Sequence, residues 1–275
     1  MTRRRLRAFA CVVGLAVLAA ACDAATGGDR VSFRLAVEVT HGSGAPFRTS
    51  AGWVVTLEEA CVALGPVHFF ELPIGLARGG PRRQTLPARL VDVLVPSAHA
   101  HPGVDHFAGG EVRGEWLEQV VVDAGRAPAR VPLGSAPGIA GEVRSVTVGI
   151  HPPAGAALGR AACLRGHQAF VVGVARRGAE VVAFEGGLDI PPEGTKRRLQ
   201  IAADLELDDA SEVVLTVDPR VWLDHAKWET LPAPGPGARA SLAEGTQPHA
   251  AWSLGIQTAG ALVVRSARAG ADASR

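Results

Sequence analysis

QAFVVGVARRGAEVVAFEGGLDIPPEGTKRRLQIAADLELDDASEVVLTV, residues 168–217, carries the clearest pattern in the chain. Four strand-like runs follow one another there: Ala169 to Ala175, Glu180 to Glu185, Arg198 to Leu207 and Glu212 to Val217. Short Gly-, Pro- or acidic-rich turns separate them, at the spacing of an antiparallel meander. Arg176-Arg177-Gly178 reads as the first hairpin turn. Asp218-Pro219 then caps a short helix, Arg220 to His225, that carries Trp222.

On the N-terminal side the same period recurs. Val31, Phe33, Leu35, Val37 and Val39 alternate with polar or small residues, which is the mark of a half-buried strand. Trp53, Val55 and Leu57 alternate in turn, and the chain continues through Cys61 to Phe70 across Gly65-Pro66. β-Branched residues and that break argue against a helix here. Residues 74–86 read as a Gly-, Pro- and Arg-rich connection, Leu90 to Val95 and Trp116 to Val122 as strands, Gly141 to Ile150 as another, and the stretch before Cys163 as a Gly/Ala-rich loop. His68, between large apolar neighbours, reads as a hydrogen-bonded strand histidine, with a ligand as the alternative. Toward the C-terminus, Trp252, Ile256, Ala259 and Val263 recur at helical spacing and predict an amphipathic helix from Ala250, with strand as the alternative. These elements together predict an all-β fold, an antiparallel Greek-key β-sandwich with short helices near Trp222 and at the C-terminus. The sandwich spans 31–265, as one unit or two β subdomains, and 266–275 is a disordered tail.

The first residues set the compartment. Arg3, Arg4, Arg5 and Arg7 precede an apolar run from Ala8 to Ala21, too short for a permanent membrane helix. Leu18-Ala19-Ala20-Ala21-Cys22 closes it and resembles the signal of bacterial lipoproteins, with Ala19 where Leu or Val is usual. That resemblance implies cleavage before Cys22 and acylation of its thiol. An ordinary secretory signal, cleaved at an Ala-x-Ala site, is the alternative. Residues 1–21 are then the signal peptide and 22–30 a flexible tether. Without the leader arginines the chain holds 24 Lys+Arg against 27 Asp+Glu, near −3, which is no footprint for nucleic acid.

Four cysteines are present. Cys11 leaves with the signal and Cys22 takes the lipid, so Cys61 and Cys163 remain. An oxidising compartment favours a disulfide between them. Two separate thiols, or one thiol serving as a metal ligand, are the other readings.

Ser97 to Glu115, SAHAHPGVDHFAGGEVRGE, is the one stretch that suggests chemistry. Three of the nine histidines fall within it. A His-x-His pair puts both imidazoles on one side of an extended backbone, and Pro102-Gly103 favours a turn that returns His106 toward them. Neutral imidazoles beside a carboxylate suit zinc or copper(II), with His99, His101 and His106 as core ligands and Glu111 or Glu115 completing the sphere. A solvated loop with incidental histidines is the alternative. There is no Gly-x-Ser-x-Gly elbow, no phosphate loop and no His-Glu-x-x-His helix. The single Met and the absence of Tyr remove methionine-rich copper(I) chemistry and a tyrosine nucleophile.

Several segments resemble a myxobacterial-type family of Gram-negative periplasmic lipoproteins: Gly52-Trp-Val-Val-Thr-Leu-Glu-Glu-Ala, Ala63-Leu-Gly-Pro-Val, and Ala98-His-Ala-His-Pro-Gly followed by a Gly-Glu element. The resemblance implies an envelope location and no particular activity. Val217-Asp-Pro-Arg-Val-Trp-Leu-Asp is similar to a segment of copper-linked periplasmic β-sandwich proteins, although their four-cysteine pattern is absent. The expectation is therefore a non-enzymatic, lipid-anchored periplasmic protein that binds zinc or copper(II) and touches the membrane through its lipid. A structural or protein-interaction module of the envelope, with an envelope protein as partner, is the competing expectation. A metal-assisted hydrolase would need an open coordination position and a base besides.

Overall fold

Strand period accounts for the first element: Phe33, Leu35, Val37 and Val39 are all buried along one extended run. The computed structural model describes residues 28–40, 44–74, 111–124, 130–192 and 197–268. In chain order the strands are β1 (Arg30–Val39), β2 (Pro46–Arg48), β3 (Val54–Leu64), β4 (Val67–Phe70), β5 (Val112–Trp116), β6 (Val120–Asp123) and β7 (Val131–Ile139). They continue with β8 (Gly141–Gly149), β9 (Ala169–Arg177), β10 (Glu180–Leu188), β11 (Arg198–Leu207), β12 (Ser211–Val217), β13 (Ala240–Ser241) and β14 (Leu262–Arg268). Two helices, α1 (Pro219–Trp222) and α2 (Gln247–Gly255), join them.

The larger sheet has the order β11-β8-β4-β5-β7-β1-β12-β14, and its edge strands β11 and β14 approach each other, so it is nearly closed like a barrel. The smaller sheet runs β13-β10-β9-β3-β2, with β6 on the same edge of β3 as β2. The fold is mostly β, as expected, but it is not a purely antiparallel Greek-key sandwich. β1 lies parallel to β12, and β10 parallel to β13. The four-strand meander is likewise replaced. β9 and β10 form the expected hairpin, whereas β11 pairs with β8 and β12 sits beside β1, near the other end of the larger sheet. Alternation specifies which face of a strand is buried but not which strand lies next to it.

The hairpin turn is Gly178-Ala179, not Arg176-Arg177-Gly178. Both arginines stay in the ladder opposite Val181 and Glu180, and Gly178 takes the positive φ of 59° that a two-residue turn needs. α1 is capped as read, Asp218 accepting the Arg220 N–H at 3.0 Å, but it ends at Trp222.

The C-terminal helix is shorter than its period suggests. It starts at Gln247, where the Thr246 side chain accepts the His249 N–H, and stops at Gly255, which packs onto the Trp222 carbonyl. Gly260, at φ 103°, turns the chain, and Leu262-Val263-Val264 joins β12 as strand β14. Val263 is exposed there while Leu262 and Val264 point inward, so the apparent helical spacing crossed a turn. β14 also takes in Ser266 to Arg268, so the C-terminal strand extends into the expected tail.

One core draws from both sheets, with Phe33, Val55, Phe69, Val146, Phe184, Leu215, Trp228 and Trp252 among its members. β3 also serves a second, smaller core. The β3–β9 register shifts between Leu57 and Glu59, and an extra residue reverses which face successive side chains take. Ala60, Val62 and Leu64 thus continue the main core begun by Val55 and Leu57, while Cys61 and Ala63 face the other way. A 3₁₀ segment, Gly155–Leu164, covers them where the sequence suggests only a loop. It brings Cys163 to Cys61 in a disulfide, at a Cα–Cα distance of 6.1 Å, as expected.

Candidate functional site

β4 is four residues long, and its period places Val67 and Phe69 in the core and His68 on the outer face. Its neighbours in register decide what His68 meets. Glu115 on β5 lies opposite it on one side and Thr147 on β8 on the other. Glu115 is exposed, His68 half-buried and Thr147 buried, so exposure increases along this row from β8 to β5.

The entry to β4 builds the rest. Gly65 donates its N–H to the Gly149 carbonyl at 2.9 Å, and the Gly149 N–H returns to the Pro66 carbonyl at 2.8 Å. Gly149 has no side chain for a reason: a Cβ would lie 2.5 Å from the His151 ring and 2.7 Å from the Gly65 carbonyl. The His151 ring therefore lies over Gly149, in a cleft of about 310 Å³ lined also by Pro66, His68, Gln119, Thr147 and Arg198. The Gln119 side chain is held by accepting the Ala154 N–H at 2.7 Å.

Burial lowers the pKa of the His151 imidazole, and the Arg197 and Arg198 guanidiniums push it further down. His151 is thus a neutral imidazole with a lone pair at neutral pH, the state a metal ligand or a hydrogen-bond acceptor requires. His249, on α2, is lowered chiefly by burial, against the opposing pull of Glu244 and Asp189. The sign for stability follows. An unfolded histidine titrates near 6.5, above these folded values, so the unfolded chain takes up protons first as pH falls. The stability held by the two neutral rings is whole above about pH 6.5 and is lost as pH falls from there through the folded pKa values. Urea midpoints measured at about pH 7.5 and 5.5 should drop less in a His151→Gln/His249→Gln variant than in the parent. An equal drop in both would refute the assignment.

The other described histidines have partners elsewhere. His167 Nδ1 lies 2.7 Å from an Asp189 carboxylate oxygen, and His225 Nδ1 lies 3.1 Å from the Ser50 hydroxyl. Of the residues read as ligands, His99, His101 and His106 lie outside the described residues, as does Cys22. Glu111 precedes β5, its carbonyl accepting the Glu71 N–H, and Glu115 is four residues further on. At about 3.3 Å per residue the two glutamates stand roughly 13 Å apart along extended chain. One ion can take one of them but not both, and Glu115 is the one beside a histidine.

His151 is the site residue that the sequence conceals, because with Pro152-Pro153 it reads only as the end of a strand. Its meeting with His68 depends on the β4–β8 pairing, between segments about eighty residues apart in the sequence.

No protein-family model matches the chain, and no curated protein matches it. Among solved structures the chain is similar to MbnP from Methylosinus trichosporium, with a TM-score of 0.43 and 10% identity over 88% of this chain and 100% of that chain. A likeness at that distance carries no argument about the site.

Proposed function

We propose that the protein is a lipid-anchored periplasmic binding protein that holds one divalent transition metal of zinc or copper(II) type and performs no turnover. One observation carries the reading: His68 and His151 line the same cleft, and Glu115 stands opposite His68 on the adjoining strand. Two imidazoles and a carboxylate are a ligand set these ions favour. The neutrality of His151 supports it further. His99, His101 and His106 belong to the same proposal, since in sequence they lie between β4 and β5, the pair that carries His68 and Glu115. Lipid on Cys22 is the proposed anchor, and an envelope protein the proposed partner.

Arg198 works against a cation. A unit positive charge 4 Å from a divalent ion costs about 2 kcal/mol in water and about 8 at an effective dielectric of 20, against an apparent 10–16 kcal/mol for structural zinc sites. It lowers affinity without abolishing it. The same arginine favours a second reading, in which the cleft holds a small anion such as phosphate on Arg198 and the Thr147 hydroxyl.

Calorimetry on the full chain with Zn²⁺, Cu²⁺ and phosphate separates these. The metal reading expects one dominant divalent site, lost in His68→Ala/His151→Ala by more than the roughly 10–100-fold that an outer-shell partner is worth. A parallel loss in His99→Ala/His101→Ala would put those imidazoles on the same ion. Phosphate binding without metal binding would replace the reading with the anion site. Weak, equal metal heats in every variant would leave a structural or interaction module of the envelope.

A further inference from the structure

The outer face of β3 holds a second group of ligand atoms, far in character from the histidine cleft. The β3–β6 ladder sets Asp123 directly opposite Cys61, and Cys163 descends onto the pair from the 3₁₀ segment above. Directly opposed residues of an antiparallel pair have their β-carbons about 4.5–5.5 Å apart. The two sulfurs and an Asp123 carboxylate oxygen all lie within 4.8 Å of one another. Cys61 is buried, and Asp123 and Cys163 are half-buried, among Ala63, Val121, Ala157 and Leu164. On the other side of Cys61 stands Phe170, its ring covered by Arg165 at 4.4 Å. That arginine is engaged by Glu59 and Glu185.

We propose that Cys61, Cys163 and Asp123 are a reductively opened site for a thiophilic divalent cation of zinc type, distinct from the histidine cleft. In the oxidised chain the sulfurs are bonded to each other and offer no thiolate. A dithiol reductant attacks one sulfur. Exchange through the mixed disulfide leaves two protein thiols, and the reductant leaves as its own cyclic disulfide. The two electrons come from the dithiol, and its two protons end on Cys61 and Cys163. The cation then displaces both protons and binds two thiolates and the carboxylate, with water in the fourth position.

Geometry favours this closure. At a Zn–S distance of about 2.3 Å a tetrahedral ion holds its sulfurs roughly 3.8 Å apart. Side-chain rotation within a Cα–Cα distance of 6.1 Å provides that separation without moving either strand or the covering segment. The site therefore has two closed states, a disulfide and a metal bridge, and each ties the 3₁₀ segment to β3.

Cobalt(II) reports such a site because its thiolate charge-transfer absorption cannot arise from histidine ligands. The full chain, reduced with dithiothreitol and desalted without oxygen, should bind one Co²⁺ with that absorption, and Zn²⁺ should displace it. The oxidised chain should show none, whatever its histidine cleft binds. Asp123→Asn should weaken the reduced site roughly tenfold or more, and Cys163→Ser should remove the absorption. Circular dichroism on the same samples follows the fold. If reduction loosens it, Co²⁺ should restore the near-ultraviolet signal. Absence of the absorption in the reduced chain, failure of that recovery, or an unchanged affinity in Asp123→Asn would each overturn the proposal.

Discussion

A Cys61→Ala/Cys163→Ala variant, measured without metal, is expected to lose about 4–5 kcal/mol of unfolding free energy in the chain-entropy model. The two half-cystines are 102 residues apart, and cross-linking so long a loop removes much of the freedom of the unfolded chain. Against a typical total of about 5–15 kcal/mol the loss is roughly a quarter of the stability or more. The folded side contributes less. Cys61 already sits in the small core with Ala63, Val121 and Leu164, and alanine keeps its β-carbon there. Since the main effect acts on the unfolded chain, the urea m-value should rise as well, because the freed chain exposes more surface. Urea titration of parent and variant decides it. A loss under about 1 kcal/mol would mean that the bridge is offset by strain, or that the unfolded state stays compact without it.

Local period carried most of what was legible in the sequence. β1 and β11 alternate apolar with polar or small side chains and bury mainly one face, while β8, β9, β10 and β12 are runs rich in β-branched residues between turn residues, and each is found where its pattern occurs. β7 gives no such signal, because Pro132, Gly134, Pro137 and Gly138 interrupt it. Its glycine has a packing reason that no local pattern reveals: the Phe33 ring of β1 lies over both Gly114 and Gly138, where a β-carbon would collide with it. The parallel β1–β12 pair joins segments nearly 180 residues apart, and neither strand's composition names the other. The candidate site divides in the same way. Glu115 and the Cys61–Cys163 pair were legible from residue type and compartment. His151 and Asp123 were not, because each reaches its partners only through strand register.

Trp228→Ala is expected to cost about 3–4 kcal/mol, and the argument lies in how two rings stack over one glycine. Phe184 on β10 pairs with Gly173 on β9, and a β-carbon at Gly173 would lie 2.7 Å from the Phe184 ring. The glycine lets that ring lie flat over the strand, fully buried. Trp228 then covers it, with ring centroids 4.1 Å apart and planes inclined at 27°. Truncating a buried tryptophan ordinarily costs about 3–5 kcal/mol, and an aromatic pair adds about 0.5–1.5 beyond area alone. One term runs the other way. The Trp228 indole N–H is buried without a hydrogen-bond partner among the described residues, and removing it relieves about 1–3 kcal/mol of desolvation. The same term makes Trp228→Phe mild, at about 1–2 kcal/mol, since the ring stack survives and the unpaired donor is gone. Unfolding of the two variants in urea at neutral pH tests the balance. Equal losses would mean that the stack contributes little and that the site is held by the chain around it.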